Sequence, residues 1–225
     1  MQYLVTGAAR GIGLELVRQL RTRGDDVIAT VRDETSSGEL RAVAGVRIEP
    51  CDVASEASIA GLAARLGDAA LDVVINNAGV WGGERQSLTR FDAAEAMRTY
   101  QTNALGPLLV SIALLPHVRR GKAKKLLHIT SGMGSIGDNT SGGSYAYRMA
   151  KAALNMASRS LAQDLAREGI ASAVINPGWV QTDMGGGGAP TPVGDSVRGI
   201  LARLDELSVA TTGTFLNWQG GTYPW

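Results

Sequence analysis

A glycine-rich turn at residues 7–13, with the sequence GAARGIG, limits the folds open to this chain more than any other stretch. The apolar run at residues 2–6 predicts a strand before the turn, and an apolar stripe ending near Gly24 predicts a helix after it. Glycines allow backbone N–H groups to approach a pyrophosphate, and a helix N-terminus attracts its negative charge. The spacing differs from the commoner G-x-G-x-x-G fingerprint, and a glycine-rich turn is often only a turn. Strand, turn and helix together predict a nucleotide-binding unit.

Strands and helices alternate along the rest of the chain. The mostly apolar stretch at residues 71–75, in which Asp72 is the one charged residue, is typical of a parallel strand covered on both faces. We expect an α/β fold, a single-domain Rossmann-type doubly wound parallel sheet of about seven strands with helices on both faces, over residues 1–225. Further strands are predicted at residues 26–31, 46–50, 125–130, 170–175 and 214–217, and helices at 38–45, 55–66, 91–115 (kinked near Gly106-Pro107), 145–168 and, after a Thr191 cap and Pro192, to about 207.

The charge balance argues against a nucleic acid or an anionic membrane as a partner, because 22 Lys and Arg residues stand against 21 Asp and Glu residues. No apolar run approaches the ~20 residues that a membrane span needs. Cys51 is the sole cysteine, which excludes an internal disulfide and fits a reducing cytoplasm. We therefore expect a cytoplasmic protein that binds a small molecule, with no metal site.

The residues after the second predicted strand bear on the choice between NAD(H) and NADP(H). NAD-binding proteins usually place an acidic residue at the end of this strand for the ribose 2′-hydroxyl, whereas NADP-binding proteins place an arginine nearby. Thr30 takes the acidic position, Arg32 stands just beyond it, and Arg10 lies in the glycine turn. Because a guanidinium can bind a 2′-phosphate in a bidentate manner, we predict that NADP(H) is favoured over NAD(H). The neighbouring Asp33 weakens this prediction, and both arginines could be ordinary surface charges.

Tyr147 and Lys151 stand four residues apart in the helix predicted at residues 145–168, so their side chains lie on one face. The unperturbed pKa of tyrosine is about 10, and a neighbouring ammonium lowers it by favouring the phenolate. The pair could therefore exchange a proton with a substrate near neutral pH. By itself it is a weak signal, since it also fits a half-buried ring beside a lysine whose charged end reaches solvent.

Several further motifs make the chain resemble the short-chain dehydrogenase/reductase family over nearly its whole length. Each motif is weak alone, but together they occur in the family's order and approximate spacing. They are Gly7-x-x-x-Gly11-Ile12-Gly13, Asn76-Asn77-Ala78-Gly79, Asn103, Ser131, Tyr147-x-x-x-Lys151 and Pro177-Gly178. Within the family, the chain resembles the carbonyl-reductase-like group that includes the sniffer and C-factor proteins. The residues that carry this resemblance are Ser141-Gly142-Gly143, Pro177-Gly178-Trp179-Val180-x-Thr182-Asp183-Met184 and Pro224-Trp225.

The resemblance implies hydride transfer from NADPH to a ketone, aldehyde or quinone-like carbonyl, or alcohol oxidation in reverse. Tyr147 would exchange a proton with the carbonyl oxygen, and Ser131 would bind that oxygen. Lys151 would lower the Tyr147 pKa and hold the nicotinamide ribose, while Asn103 would anchor a water leading from Lys151 to solvent. A homodimer or homotetramer is compatible with the resemblance. The family pattern also predicts cofactor contacts from Gly7, Arg10, Gly11, Ile12, Gly13, Arg32, Asp52, Val53, Asn76, Ala78, Gly79, Tyr147, Lys151, Pro177, Gly178, Val180 and Thr182.

Ser135 and Tyr145 are alternatives for two of these roles. Ser131 lies sixteen residues before Tyr147, a few more than is usual in the family, so Ser135 stays a candidate. We favour Ser131 because it directly follows a predicted strand. Tyr145 has Met149 at the position four residues on, so no lysine at that spacing would activate it.

Residues 182–190 include four consecutive glycines and are predicted to form a mobile substrate flap. Trp81, Tyr145, Trp179 and Met184 would either wall an apolar pocket or belong to core and lid packing. Two other functions stay open. One is a dinucleotide-binding regulatory or signalling protein of C-factor type with incidental turnover. The other is a sugar-nucleotide epimerase, although too few residues follow Pro177 for the substrate domain of such enzymes.

Overall fold

A parallel sheet of seven strands organises the molecule. The structure is a computed structural model and describes residues 1–33, 35 and 37–225. The sheet has the order β3-β2-β1-β4-β7-β8-β9, and its pairings are parallel. This arrangement confirms the predicted α/β architecture. The strands are β1 (Gln2–Val5), β2 (Asp26–Val31), β3 (Val46–Pro50), β4 (Val73–Asn76), the hairpin strands β5 (Gln86–Ser87) and β6 (Arg90–Phe91), β7 (Lys125–Ile129), β8 (Ala171–Asn176) and β9 (Phe215–Asn217).

Helices cover both faces of the sheet. Leu16 and Val197, from α1 and α7, belong to the apolar cluster on one face. Leu62, Leu114 and Leu161, from α3, α5 and α6, belong to the cluster on the other face. A sheet covered on both faces explains why its strands are almost continuously apolar. The helices are α1 (Gly11–Thr22), α2 (Gly38–Arg41), α3 (Glu56–Leu66), α4 (Ala93–Tyr100), α5 (Gly106–Arg120), α6 (Tyr145–Leu165) and α7 (Val193–Glu206).

The chain order of the strands reverses between β1 and β4, which are neighbours in the sheet. Val5 of β1 is paired with Ile75 of β4. The glycine turn follows β1, and residues 76–79 follow the same edge of β4. Ligands of open α/β sheets bind in the crevice at such a switch point, outside the carboxyl ends of the strands. The fold therefore brings the first two predicted cofactor motifs to one place.

The helix predicted over residues 91–115 is divided and shifted. Phe91 belongs to β6, and Asp92 caps α4 by accepting a hydrogen bond from the Glu95 N–H. A π-helical turn, Gln101–Leu105, then separates α4 from α5, which continues to Arg120. In this turn the Gly106 N–H donates to the Gln101 carbonyl, five residues back. The interruption falls directly before the expected kink, and π turns of this kind often occur at functional sites.

Two other boundaries differ from the sequence prediction. The helical connector α2 ends at Arg41 rather than near residue 45. Pro192, not Thr191, is the residue before the first turn of α7, and no side chain caps this end. Thr191 instead pairs with Val180 in an isolated bridge, which uses its backbone in an extended conformation. In the part of the chain that the structure describes, no helix combines the length and apolar character needed to cross a membrane.

Candidate functional site

Hydrogen bonds from residues 76–79 hold the glycine turn in place. The Thr6 hydroxyl accepts from the backbone N–H groups of Asn77, at 3.0 Å, and Ala78, at 3.1 Å. The Asn77 amide nitrogen donates to the carbonyls of Thr6 and Gly7, both at 3.0 Å. Asn77 was not among the predicted site residues, although its neighbours were. Its role is to join the two motifs into one rigid edge.

Glycine is required at several positions of the turn because neighbouring atoms leave no room for a Cβ. A Cβ added at Gly7, where φ is +65°, would lie 2.7 Å from the Ala78 Cα. One added at Gly13 would lie 2.3 Å from the Gly7 carbonyl oxygen. One added at Gly11 would lie 3.3 Å from the Thr182 Cγ2, so the start of the predicted flap borders the turn. A compact glycine turn at the start of α1 fits a dinucleotide pyrophosphate.

Tyr147 is buried near the start of α6, with 8% of its surface exposed. The Ser131 side chain lies beside its hydroxyl and lowers its pKa by hydrogen bonding to the phenolate form. The Tyr147 ring packs on the Trp81 ring, with centroids 4.8 Å apart. Its backbone N–H, which the first turn of a helix leaves unpaired, donates to the Gln86 side chain at 2.9 Å. Gln86 is therefore a positioning residue that no sequence motif indicated.

The pKa of Tyr147 is raised, whereas the sequence analysis predicted that it would be lowered. Burial raises it to about 12, and the hydrogen bond from Ser131 offsets this only partly. Desolvation disfavours the charged phenolate, and the ring is enclosed by neighbours such as Trp81. The net shift of the Tyr147 pKa is therefore upward, and the predicted lowering below its ordinary value is wrong for this structure. A neutral phenol at physiological pH is a proton donor rather than a proton acceptor.

Lys151 is buried one helical turn after Tyr147, with 4% of its surface exposed. Its Nζ donates to the Ile129 carbonyl at 2.9 Å. Burial lowers the pKa of Lys151 to about 8, since an ammonium is costly away from water. A carbon added at Gly79 would lie 3.7 Å from this Nζ and 3.3 Å from the Asn103 Oδ1. Lys151, Gly79 and Asn103 therefore meet at one point.

Asn103 is completely buried in the π-helical turn. Its Oδ1 accepts from the Val80 N–H and its Nδ2 donates to the Val80 carbonyl, both at 2.8 Å. Both ends of the side-chain amide are thus used to hold the chain after Gly79. The predicted contact of Asn103 with a water stays a prediction.

The structure separates the two candidate serines. Ser131 lies at the end of β7, and its Oγ accepts from the Met133 N–H at 3.1 Å as well as bonding to Tyr147. The Ser135 hydroxyl donates to the Trp225 carbonyl at 3.1 Å and accepts from the Asp138 N–H at 3.0 Å. Of the two serines, Ser131 is the one that contacts Tyr147 in the part of the chain that the structure describes.

The alternative acid, Tyr145, is placed differently. Its ring meets the Phe91 ring edge-on, with centroids 6.5 Å apart. Trp179, from the proposed apolar wall, lies with Trp218 and Tyr223 around a cavity of about 540 Å³ that Trp81, Tyr145 and Met184 do not line. The four residues of the predicted wall therefore do not share this cavity.

Asn76 does not present its side chain to the cofactor groove as expected. The residue is 2% exposed, and its Nδ2 donates to the Ser111 hydroxyl at 3.0 Å and lies 3.2 Å from the His128 Nδ1. Burial and the nearby Lys151 lower the pKa of His128 to about 3, so the imidazole is neutral. Asn76 thus belongs to a buried network beneath the end of β4, and Ala78 and Gly79 form the adjacent groove edge.

The predicted adenine contacts lie after β3. Asp52 accepts a hydrogen bond from the Ala54 N–H at 3.0 Å, and its own N–H donates to the Ser58 hydroxyl at 2.9 Å. Val53 is buried against α5, where a Cβ on Gly106 would lie 2.7 Å from the Val53 carbonyl oxygen. These bonds hold the turn between β3 and α3 at the same edge of the sheet.

The arginines predicted to select the cofactor are both exposed. Arg10 stands directly before α1, and its Nη1 lies 3.0 Å from an Asp183 carboxylate oxygen. Arg32 directly follows β2, next to Asp33, whose carboxylate accepts two hydrogen bonds from Thr35, both at 2.8 Å.

The interpretation of Thr30 needs correction. It is completely buried, and its hydroxyl has no hydrogen-bond partner within residues 1–33, 35 and 37–225. Its side chain points into the protein between neighbouring elements, so it is not placed to meet a ribose.

The chain after β8 makes a closed loop over the glycine turn. The Ser196 hydroxyl donates to the Pro177 carbonyl at 2.7 Å, and Gly178 has a φ of +84°. Val180 pairs with Thr191, and the Thr182 hydroxyl accepts from the Gly185 N–H at 3.1 Å. These contacts give the segment at 182–190 an internal structure that its four glycines did not indicate. Its mobility remains a prediction.

Comparison with known proteins agrees with this geometry. The family model described as short chain dehydrogenase matches residues 2–190. The C-signal of Myxococcus xanthus is 52% identical over 155 residues, which cover 69% of this chain and 93% of that protein. The carbonyl reductase Sniffer of D. melanogaster is 32% identical with a TM-score of 0.92, covering 100% of this chain and 99% of the other. An NADPH-bound carbonyl reductase from chicken fatty liver is 36% identical with a TM-score of 0.92, covering 100% and 98%.

Proposed function

Because the chain belongs to the short-chain dehydrogenase/reductase family and is an NAD(P)-dependent enzyme of its carbonyl-reductase-like group, we propose that it reduces ketones, aldehydes or quinone-like carbonyls with NADPH. The reverse reaction would be alcohol oxidation. The observation that carries this proposal is the placement of Ser131 beside the Tyr147 phenol, with the buried Lys151 one helical turn after Tyr147. A dinucleotide-binding protein without turnover has no need of this arrangement.

The proton would come from Tyr147. Its phenol is neutral near pH 7, with a pKa of about 12, so it holds the proton that it would donate as negative charge develops on the carbonyl oxygen. The Ser131 hydroxyl, already bonded to Tyr147, would hold that oxygen beside the phenol. The bound nicotinamide would supply the hydride. The protein's own contribution is thus to orient the carbonyl and to deliver the proton.

Lys151 would act on both ligands of the site. Its ammonium, charged below a pKa of about 8, would stabilise the phenolate that remains after proton donation and would bind the nicotinamide ribose hydroxyls. Asn103 holds the backbone at Val80 close to Lys151, and its main chain would hold the water through which a proton returns. The glycine turn, residues 52–53, and the loop from Pro177 to Thr182 would hold the rest of the cofactor.

The fit of NADPH rests on the two exposed arginines. Arg32 directly follows β2 and Arg10 stands in the glycine turn directly before α1, and the carbonyl reductase from chicken fatty liver is described with NADPH bound. Arginine is well suited to a phosphate, because its guanidinium presents several donors in one plane. We therefore keep NADP(H) over NAD(H) as part of the proposal.

The test is cofactor consumption with a broad panel of ketones, aldehydes and quinones. The unmodified protein should oxidise NADPH in the presence of at least one carbonyl, and Tyr147→Phe should not. A protein that binds NADPH but oxidises it with no member of the panel would overturn the reductase proposal.

A regulatory or signalling protein is the second candidate, because the relative with 52% identity is named C-signal. In that case the protein would bind the dinucleotide tightly while turnover stayed incidental. Comparing the dissociation constant of NADPH with the turnover rate of the best carbonyl separates the two functions. The intact set of Ser131, Tyr147 and Lys151 favours catalysis.

Assembly as a homodimer or homotetramer belongs to the same proposal. Met97, Ile112, Met149 and Met156, from α4, α5 and α6, are each more than half exposed. Exposed apolar side chains on adjacent helices suit a contact between identical subunits. Light scattering of the purified protein would give its mass directly. A cytoplasmic location is also proposed, since the single cysteine, Cys51, is a free thiol, as is usual in a reducing compartment.

A further inference from the structure

We propose that Arg148 is a positioning residue that ties the loop carrying Ser131 to helix α6, and so sets the separation of the Ser131 and Tyr147 hydroxyls. The inference rests on the reductase function proposed above and assigns a role to a residue outside the predicted site. The loop runs over residues 131–144, from the end of β7 to the start of α6.

Arg148 donates three hydrogen bonds to this loop. Its Nη1 reaches the Met133 carbonyl at 3.4 Å, near the beginning of the loop. Its Nη2 reaches the Ser141 hydroxyl at 2.8 Å and its Nε the Gly142 carbonyl at 3.2 Å, near the end. One guanidinium thus joins two parts of the loop that lie eight residues apart in the sequence.

The position of Arg148 links these bonds to the reacting groups. It directly follows Tyr147, so its backbone moves with the tyrosine. Met133, which it holds, donates its own N–H to the Ser131 Oγ at 3.1 Å. A short chain of contacts therefore runs from the helical turn of Tyr147 through Arg148 and Met133 to Ser131. Loss of the guanidinium would leave the Ser131–Tyr147 hydrogen bond without this support.

The loop has little regular structure of its own at its far end. Gly142 and Gly143 both have a φ of +64°, and Ser144 has a φ of +47°. Three successive residues in the left-handed region are not stabilised by a helix or a sheet, and the conformation is unfavourable for the serine. Contacts from outside must hold this stretch, and Arg148 supplies them.

A different set of contacts holds the middle of the loop. The Trp225 carbonyl accepts from the Gly137 N–H at 2.7 Å and from the Ser135 hydroxyl at 3.1 Å. The Tyr223 hydroxyl donates to the Asp138 carboxylate at 2.5 Å.

The beginning of the loop is also held by the Gly132 N–H, which donates to Asn176, and by the Gly134 carbonyl, which accepts from Asn155, both at 3.1 Å. Removing Arg148 should therefore loosen the two ends of the loop, its far end most, without releasing its middle, so the protein should still fold.

Lysine should replace Arg148 only in part. Within residues 1–33, 35 and 37–225, Arg148 makes no ion pair, and its three acceptors are two carbonyls and a hydroxyl. A planar guanidinium reaches diverging acceptors at once, whereas an ammonium is a compact charge on a flexible stem. The geometry, rather than the positive charge, carries the function.

The experiment compares Arg148→Ala and Arg148→Lys with the unmodified protein, and uses Arg167→Gln, an exposed arginine after α6, as the matched control. With the best carbonyl of the panel, kcat of Arg148→Ala should fall about 10- to 100-fold, because small displacements of reacting groups carry losses of this size. The dissociation constant of NADPH should change less than about twofold. Added guanidinium ion should restore part of the kcat of Arg148→Ala, and Arg148→Lys should lie between the two.

Amide hydrogen exchange gives a readout that needs no turnover. Residues 131–134 and 141–144 should exchange faster in Arg148→Ala, while residues 135–138 should not. A kcat near that of the unmodified protein, or unchanged exchange at both loop ends, would overturn the positioning role. If Arg148→Ala does not fold, Ser141→Ala removes one of the three bonds, and its kcat must fall for the proposal to stand. If the unmodified protein were inactive with every carbonyl, the proposed reaction would be wrong. The exchange data would then test separately whether Arg148 holds the two ends of the loop.

Discussion

The Nζ atom of Lys151 lies 5.7 Å from the centre of the Tyr147 ring. Both side chains are buried, and burial acts on their pKa values in opposite directions, lowering that of Lys151 to about 8 and raising that of Tyr147 to about 12. Near neutral pH the lysine is therefore charged and the tyrosine neutral. This is the protonation state that reduction of a carbonyl requires, because the phenol holds the proton and the ammonium faces the ring that will become negative.

Replacing Tyr147 with Phe should lower turnover about 10²-fold or more while NADPH still binds, because only the proton donor is removed. The Trp81 contact with the ring should be retained. Tyr145→Phe is the control and should be much milder, since its ring packs on Phe91 rather than beside Lys151. Steady-state rates and NADPH fluorescence titrations measure both effects. Equal losses in the two variants would mean that the acid is misassigned.

The affinity for NADPH should fall as pH rises through about 8. Lys151 is charged below its lowered pKa and neutral above it, so its attraction for the cofactor is present at low pH and lost at high pH. Dissociation constants measured from pH 7 to 10 should show this change in the unmodified protein. In Lys151→Met the affinity should be weaker but flat over the same range. The same pH dependence in both proteins would rule out Lys151 as the titrating group.

Removing Arg32 should raise the KM for NADPH about tenfold or more and leave that for NADH nearly unchanged, since the lost donors would bind only the 2′-phosphate. Arg10→Gln should have the same direction. Asp183→Asn should improve NADPH binding, because it releases Arg10 from its ion pair. Thr30→Asp is a poor test, since Thr30 is completely buried and an aspartate would place a charge inside the protein. Equal use of NADH and NADPH by the unmodified protein would contradict the assignment.

Residues 182–190 should exchange their amide hydrogens quickly in the free protein and slowly when NADPH and a carbonyl inhibitor are bound. The Thr182 and Val180 contacts hold the base of the loop, so protection should increase most at residues 186–188. Exchange measured by mass spectrometry, with α3 as an internal reference, tests this directly. Identical exchange with and without ligands would exclude a substrate lid.

Gly13→Ala should weaken NADPH binding and lower the free energy of unfolding, because the new Cβ would lie 2.3 Å from the Gly7 carbonyl oxygen and 2.5 Å from the Asn77 Nδ2. Gly61→Ala is the matched control in helix α3, where the nearest contact is the flexible end of Arg65 at 3.2 Å. That change should be neutral or stabilise the protein by about 0.5–1 kcal/mol, since alanine is the better helix former. Urea unfolding and cofactor titration compare the two. A tolerated Gly13→Ala would show that the turn can open.

The local patterns of the sequence were sufficient for the sheet and for the Tyr147–Lys151 pair. Apolar strands alternate with amphipathic helices, and a spacing of four residues defines one helix face, so both follow from periodicity. The hairpin of β5 and β6 could not be predicted in this way, because two-residue strands have no period. Gln86 in that hairpin binds the Tyr147 N–H through a contact between residues sixty-one apart in the chain.

The chemistry of the pair depended on burial, which the sequence alone did not reveal. The prediction of a lowered Tyr147 pKa considered the ammonium but not the loss of water around the ring. The direction of the Asn76 side chain was hidden for a similar reason, since Asn76 ends a strand at the groove while its amide bonds to Ser111 and lies beside His128 in the interior.

The π-helical turn at Gln101–Leu105 also sets the rotational phase of everything that follows in α5. One residue of an α-helix corresponds to a rotation of about 100°, and a π turn accommodates one residue more than the α-helical spacing. The wide turn therefore absorbs one residue while Val110 and Leu114 stay against the sheet and the Ser111 hydroxyl stays beside Asn76. A deletion within the turn would close it to α-helical spacing, whereas a deletion later in α5 would rotate the residues that follow it by about 100° and disturb the core.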